Sequence, residues 1–113
     1  MENSENTAYV IKEAIRVCYT LRHEFLTPEH VLFAFNKQQP FINALNECGV
    51  SSDDIRIELL KCFNNMETVP QHVDYNIDGS EQFSEMMSLA VIQAQHAECD
   101  TIEVPHITAA LFM

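Results

Sequence analysis

With 113 residues, the chain can form one domain with a single modest core. Its 17 acidic and 6 basic residues give a net charge of -11, which repels nucleic-acid phosphates and anionic membrane surfaces, so a basic or amphipathic protein is the expected partner. The N-terminus lacks the basic region of a signal peptide and no apolar stretch approaches a membrane span, so a cytoplasmic location is expected.

The apolar residues of the chain predict an all-α protein. They recur at helical spacing, and only two glycines and four prolines interrupt the sequence. The first helix is indicated by an apolar face that consists of Ile11, Ala14, Ile15, Cys18 and Leu21.

The second and third helices are indicated mainly by residues that favour helix ends. Thr27, Pro28 and Glu29 suit the start of the second helix, because Pro fits the first turn and an acidic side chain meets the positive end of the helix dipole. Pro40 is expected to open the third helix. Gly49 is expected to end it, since glycine adopts the left-handed conformation that other residues resist.

The fourth helix is expected to begin at Ser51, with Asp54 three residues later. Residues 64–79 then lose the helical periodicity and are predicted to form a surface connection. Ser80 is expected to cap a fifth helix, and a sixth helix is predicted to begin around Val104.

The two halves of the chain are related by a repeat with an offset of 76 residues. Under this offset Leu26 corresponds to Ile102, and His30 corresponds to His106. The same offset relates Ala14 to Ala90, Ile15 to Val91, Glu24 to Asp100, Val31 to Ile107, Ala34 to Ala110 and Phe35 to Leu111.

These patterns predict a single domain over residues 1–113, an orthogonal helical bundle of two pseudo-repeats. The first repeat is expected at about residues 4–63, the linker at about 64–79 and the second repeat at about 80–113. The counterpart of the segment from Pro40 to Phe63 would lie beyond Met113. The second repeat is therefore expected to be truncated, because repeats need their neighbours to cover apolar faces.

Residues 21–35 read LRHEFLTPEHVLFAF, in which Arg-His-Glu-Phe is followed by Thr-x-Glu-His and a run containing Leu and Ala. This pattern resembles the N-terminal domain of ClpA-type AAA+ protein unfoldases, which is built from Clp-N repeats. The segments Ala44–Cys48 and Arg56–Leu59 resemble the third and fourth helices of that domain, and Ser80 with Phe83 resembles its fifth.

The resemblance implies a non-catalytic domain mounted on a hexameric AAA+ ring. In this family the domain docks the adaptor ClpS and protein substrates before the ring threads them into the protease ClpP. The chain has no Gly-rich loop that ends in Lys-Ser or Lys-Thr. No cofactor or metal is therefore expected in this chain, and ATP and Mg²⁺ are expected to bind to the parent protein.

The resemblance and the helix starts together suggest a polar docking surface. Its candidate partner-binding residues are Glu24, Thr27, Glu29, Ser80, Glu81 and Phe83. Four of them also have possible structural roles. Thr27 and Ser80 can cap helices, Glu29 can interact with the helix dipole, and Phe83 can belong to the core.

Two positions depart from the family pattern. Pro105 precedes His106, where the ClpC type has a second Thr-Glu-His, so a symmetric pair of carboxylate pockets is not expected. Glu85 lies two positions after Phe83, where a basic residue is common in the family. The chain therefore gives no reason to expect an acidic contact from the partner at that point.

Two other functions remain open. A stand-alone Clp-N-like protein could serve as an adaptor or a decoy. A small metal-dependent hydrolase could use His23, Glu24 and His30, although the helix start at Thr27 separates these residues, unlike the His-Glu-x-x-His motif on a single helix face.

The four cysteines are expected to be buried, reduced thiols. Cys18, Cys48, Cys62 and Cys99 include no C-x-x-C pair, and each lies in a segment with helical periodicity.

Overall fold

The computed structural model of the protein describes residues 1–111. Within this range the chain forms six helices and four two-residue strands, which confirms the all-α prediction. The helices are α1 (Glu5–Thr20), α2 (Pro28–Phe35), α3 (Gln39–Glu47), α4 (Ser52–Asn64), α5 (Glu81–His96) and α6 (Val104–Leu111). The strands are β1 (Glu2–Asn3), β2 (Phe25–Leu26), β3 (Asp78–Gly79) and β4 (Thr101–Ile102).

The four strands cross-link the two halves of the chain. β1 pairs in parallel with β4, and β2 pairs in parallel with β3. A backbone hydrogen bond extends each pairing past its last residues, from Ser4 N–H to Ile102 O (2.9 Å) and from Ser80 N–H to Leu26 O (2.8 Å). The sequence did not predict these strands, because two residues are too few to show a period.

The backbone repeats with the offset of 76 residues that the sequence shows. The bounds of α5 exceed those of α1 by 76, and the same holds for α6 and α2, for β3 and β1, and for β4 and β2. The structure therefore contains two copies of a strand–helix–strand–helix unit, and each copy pairs its strands with those of the other. The predicted limits of the repeats and the linker stay a prediction.

Serine side chains cap the two long helices at equivalent positions. Ser4 Oγ accepts a hydrogen bond from Thr7 N–H (3.2 Å), and Ser80 Oγ accepts one from Phe83 N–H (3.0 Å). Ser51 caps α4 in the same way. The caps predicted at Ser51 and Ser80 are therefore confirmed.

Both long helices also end in the same way. The residues Arg22 and Glu98, which follow the last turns of α1 and α5, have φ angles of 58° and 56°. The next amide, that of His23, donates to Cys18 O (3.0 Å), and the corresponding bond after α5 measures 2.9 Å. This hydrogen bond defines a Schellman motif. Gly49 ends α3 with a φ of 75°, as its sequence position predicts.

The main core lies between α1, α2, α5 and α6. Its buried residues are Val10, Ala14, Cys18, Leu26, Val31, Ala34, Phe35, Met86, Ala90, Ile102, Ile107 and Ala110. A smaller cluster of Val17, Leu59 and Phe63 attaches α4 to α1. Helix α3 buries no residue completely, and it packs through Phe41, whose ring lies 5.7 Å from that of Phe35.

The cysteines differ in their environments. Cys18 is buried in the core, Cys48 is exposed, and Cys62 and Cys99 are half-buried. Burial raises the pKa of the Cys18 thiol to about 11, so it is a neutral core residue. The expectation of four buried thiols is therefore correct for Cys18 and wrong for the others. Cys48 and Cys99 also lie just after the ends of α3 and α5 rather than within a helix.

No helix within residues 1–111 is long and apolar enough to cross a membrane.

Candidate functional site

The predicted docking residues come from two segments that the strands hold side by side. Phe25 is paired with Asp78 and Leu26 with Gly79, and Asp78 N–H donates to Glu24 O (3.2 Å). We call the surface formed by residues 24–27 and 78–81 the junction. Because main-chain hydrogen bonds fix the junction, its side chains project from a rigid base.

The junction is acidic. Glu24, Asp78 and Glu81 are all exposed, while Thr27 and Ser80 are half-buried. The two halves of the chain therefore contribute carboxylates to one surface. Ser80 Oγ is already occupied by its bond to Phe83 N–H.

Phe83 supports the junction from behind. A Cβ atom on Gly79 would lie only 2.9 Å from Phe83 Cδ1, so the ring lies against the glycine backbone. Phe83 is half-buried and also packs against the main core. The predicted role of Phe83 as a partner contact stays a prediction, and its observed contacts are with core and backbone.

Glu29 lies toward α4. Burial, and then the nearby carboxylate of Glu29, raise the pKa of the Cys62 thiol on that helix. Thus the structure brings Glu24, Thr27, Ser80 and Glu81 together at the junction, with Glu29 on the side of α2 that faces α4. The partner-binding role predicted for these residues stays a prediction.

A cavity next to the junction contains residues that the sequence did not indicate. Its volume is about 220 Å³, and it is lined by His23, Glu24, Phe25, Thr27, Met66 and Glu67. The linker was predicted to be a solvated connection. Two linker residues, Met66 and Glu67, line this cavity. Their position depends on how the linker folds back over residues 23–27, which the sequence does not indicate.

The path of the linker is set by one arginine. Val69 N–H donates to Arg22 O (2.7 Å), and Arg22 Nε donates in return to Val69 O (3.0 Å). The guanidinium also donates to Val73 O (2.7 Å) and lies 5.1 Å from the ring centre of Tyr75. Arg22 thereby holds the linker over the end of α1 and beside the cavity.

A buried pair of histidines lies beneath the same cavity. Nδ1 of His23 is 2.9 Å from Nε2 of His30, and Nδ1 of His30 accepts the N–H of Thr27 (3.0 Å). The His30 ring stacks on Phe63 at 4.9 Å. Burial, and then the neighbouring His23, lower the pKa of His30 to about 4. Burial also lowers the pKa of His23, so the pair is neutral at pH 7.

This geometry does not support the metal-dependent hydrolase. The two imidazoles direct nitrogens at each other, whereas a metal ion would need both lone pairs directed at one external point. Glu24, the third residue of that hypothesis, is exposed at the junction. Within residues 1–111, no group of three or more His, Cys, Asp or Glu side chains is arranged to hold a metal ion.

An apolar groove lies on another face of the molecule, and the sequence did not indicate it. Its volume is about 490 Å³, and it separates α3 from α6. The residues that line it include Phe35, Phe41, Ala44, Val104, Pro105 and Ala109. The sequence could not reveal this groove, because it depends on the distance between two helices from different halves.

The family of the chain follows from its whole sequence. Residues 2–113 match the Clp repeat (R) N-terminal domain. The chain belongs to the Clp repeat N-terminal domain family. This confirms the resemblance seen in residues 21–35. No curated protein matches the chain.

Solved Clp N-terminal domains share the fold of this chain. The Hsp104 N-terminal domain from Candida albicans matches with a TM-score of 0.88 and 19% identity, covering 98% of this chain and 73% of that one. The N-terminal domain of ClpD from Arabidopsis thaliana matches with a TM-score of 0.74 and 17% identity, covering 99% of this chain and 76% of that one.

The N-domain of ClpV from Vibrio cholerae gives a TM-score of 0.80 and 16% identity, covering 96% of this chain and 65% of that one. The three neighbours are thus N-terminal domains of different Clp-family proteins. At these identities, they show a common fold for the Clp N-terminal domain.

Proposed function

We propose that this Clp N-terminal domain is a protein-docking module of a ClpA-like ATP-dependent unfoldase that works with the protease ClpP in the cytoplasm. The observation that carries the proposal is the junction, where strand pairing brings carboxylates from both halves of the chain onto one rigid surface. A rigid polar surface suits binding, because few side chains must be ordered when a partner docks.

The charge of the junction indicates the partner. Glu24, Asp78 and Glu81 are exposed on a protein whose net charge is -11. A ClpS-like adaptor would meet this surface with Lys or Arg side chains, since complementary charge speeds association and fixes orientation. Attachment of one domain would be weak, and a ring of several domains would strengthen it by avidity.

Protein substrates would use the apolar groove between α3 and α6. Phe35, Phe41 and Val104 line it, and exposed apolar segments are what an unfolded protein offers. In this proposal the domain performs no chemistry and binds no cofactor, and the parent ring supplies the ATP and Mg²⁺ for unfolding. The competing proposal is a stand-alone adaptor or decoy, which would differ by lacking Walker motifs further along its reading frame.

The adaptor proposal is tested by binding kinetics with a purified ClpS-like protein. We expect Glu24→Lys and Glu81→Lys to slow association, because both replace a junction carboxylate with a repelling charge. The effect should shrink near 1 M salt, where the Debye length falls to about 3 Å. Glu47→Lys is the matched control, since it makes the same charge change at the exposed end of α3.

Equal rates for all three variants and the unmodified domain would contradict docking at the junction.

The substrate proposal is tested separately with a carboxymethylated, permanently unfolded protein. Here Ala44→Glu, which places a charge in the groove from an exposed position, should weaken binding while Glu24→Lys should not. The opposite pattern would place substrates at the junction.

A further inference from the structure

A third surface, between α2 and α4, has both an apolar floor and an acidic rim. Leu32 of α2 and the α4 residues Ile55 and Leu59 form the floor, and the carboxylates of Asp54 and Glu58 form the rim. We call these five residues the α2–α4 groove. Its volume is about 300 Å³.

The arrangement follows from the sequence of α4. Ile55 and Leu59 are separated by four residues, as are Asp54 and Glu58, so an apolar row and an acidic row run side by side along the helix. Leu59 also packs with Val17 and Phe63 in the smaller core cluster. The floor is therefore anchored to the body of the domain.

The charges around the groove select its occupant. The lining residues include two acids and no base. The cations of α4 pair with acids along the same helix, Arg56 with Asp53 (3.8 Å) and Lys61 with Glu58 (3.3 Å). Both pairs are exposed, and exposed pairs are weak, so an incoming Lys or Arg can compete for Glu58.

We propose that the α2–α4 groove binds a basic amphipathic helix of a partner protein. Aliphatic side chains spaced by three and four residues would enter between Leu32 and Ile55, and Lys or Arg side chains flanking them would pair with Asp54 and Glu58. This surface is distinct from the junction and from the α3–α6 groove, and the inference does not depend on adaptor docking at Glu24.

The probe is a synthetic 14-residue peptide of Leu and Lys with the leucines on one helical face. A scrambled peptide of identical composition, with the leucines spread around the helix, measures the attraction due to charge alone. We expect the amphipathic peptide to bind more tightly than the scrambled one. Its binding should shift the methyl resonances of Leu32, Ile55 and Leu59 in an NMR titration.

Two substitutions test the rim and the floor. Glu58→Lys should weaken binding on the order of tenfold, because it replaces an attraction with a repulsion. Glu98→Lys is the matched control, since it makes the same charge change at an exposed residue after α5 and should leave binding within about twofold. Ile55→Ser should also weaken binding, and circular dichroism would establish that this variant is folded.

Equal affinity for the two peptides would overturn the proposal, as would equal loss from Glu58→Lys and Glu98→Lys. Shifts centred on Phe41 and Ala44 would also overturn it, by placing the helix in the α3–α6 groove. Glu24→Lys in the same titration separates the two proposals. It should leave peptide binding within about twofold, whatever its effect on the adaptor.

Discussion

His23 and His30 form a buried hydrogen bond, with Nδ1 of His23 2.9 Å from Nε2 of His30. The Thr27 N–H donates a hydrogen bond to Nδ1 of His30, so this nitrogen carries no proton. In a neutral His30 the proton is therefore on Nε2. His30 is therefore the donor and His23 Nδ1 the acceptor. Both imidazole rings also contact the ring of Phe63 on α4, with centroid distances of 5.8 Å for His23 and 4.9 Å for His30, so the pair connects α2 to α4.

The histidine pair predicts that the domain loses stability in mild acid. The pKa of His30 is about 4 in the folded chain and about 6.5 when unfolded. Between these two pKa values the unfolded state binds more protons than the folded state, so the free energy of unfolding increases with pH. The stability that the neutral His30 contributes is therefore lost as the pH falls from 6.5 toward 4. The expected loss is on the order of 3 kcal/mol, measured by urea unfolding at several pH values.

His30→Gln is the control for this pH dependence. Glutamine at this position can still accept the Thr27 amide, as in a capping box, but it does not titrate. The variant should be less stable at pH 7, since it loses the stacking on Phe63. Its stability should vary less between pH 6.5 and 4. An unchanged slope would assign the acid sensitivity to other groups.

Arg22 is predicted to control the order of the linker. Arg22→Ala removes the side-chain bonds to Val69 O and Val73 O and the contact with Tyr75. We expect faster amide exchange over residues 66–75 and a loss of about 1–2 kcal/mol in stability. Arg16→Ala is the matched control, because Arg16 makes an exposed pair with Glu13 worth less than about 1 kcal/mol. Equal exchange in both variants would contradict the prediction.

Gly79→Ala tests the packing behind the junction. The added methyl group would lie 2.9 Å from Phe83 Cδ1, so the ring must move. Overpacking of this kind is expected to cost about 1–3 kcal/mol in a thermal or urea unfolding experiment. The double variant Gly79→Ala/Phe83→Leu should lose less free energy of unfolding than the sum of the losses from the two single changes, because the smaller leucine side chain leaves space for the added methyl group. Simple additivity would show that the two residues do not conflict.

The sequence predicted those parts of the fold that local chemistry determines. The side chains of Ser51 and Ser80 cap the starts of α4 and α5, as predicted. Gly49 ends α3, because glycine readily adopts a positive φ. The repeat offset also emerged from the sequence, because both halves bury the same face of equivalent helices. The strand pairs β1–β4 and β2–β3 could not be predicted, since each joins short segments far apart in the chain.

The candidate site was only partly predictable for the same reason. The helix starts drew attention to Thr27 and Ser80, and strand pairing brings their segments together. The contributions of Met66 and Glu67 depend on a linker held by Arg22 across 47 residues of sequence. Spacing along one chain does not encode such long-range contacts, so the cavity and both grooves emerged only from the structure.

The residues with left-handed backbone conformation after α1 and α5 give a prediction about stability. The sequence does not indicate this conformation, because neither residue is a glycine. Glu98 has a φ of 56°, although no glycine marks the end of α5. A side chain in this conformation crowds the following carbonyl at a cost of roughly 1–2 kcal/mol, which glycine avoids. Because glycine also adds freedom to the unfolded chain, the expected gain for Glu98→Gly is smaller, about 1 kcal/mol.

Glu98→Ala separates this backbone effect from the effect of charge. Both variants remove one acidic group from an exposed position beside the negative end of α5, so both should gain slightly from electrostatics. Only glycine removes the Cβ atom. We therefore expect Glu98→Gly to have a higher midpoint of urea unfolding than Glu98→Ala, with the same dependence on urea concentration. Equal midpoints would mean that the left-handed conformation at Glu98 carries no strain and that charge accounts for any gain.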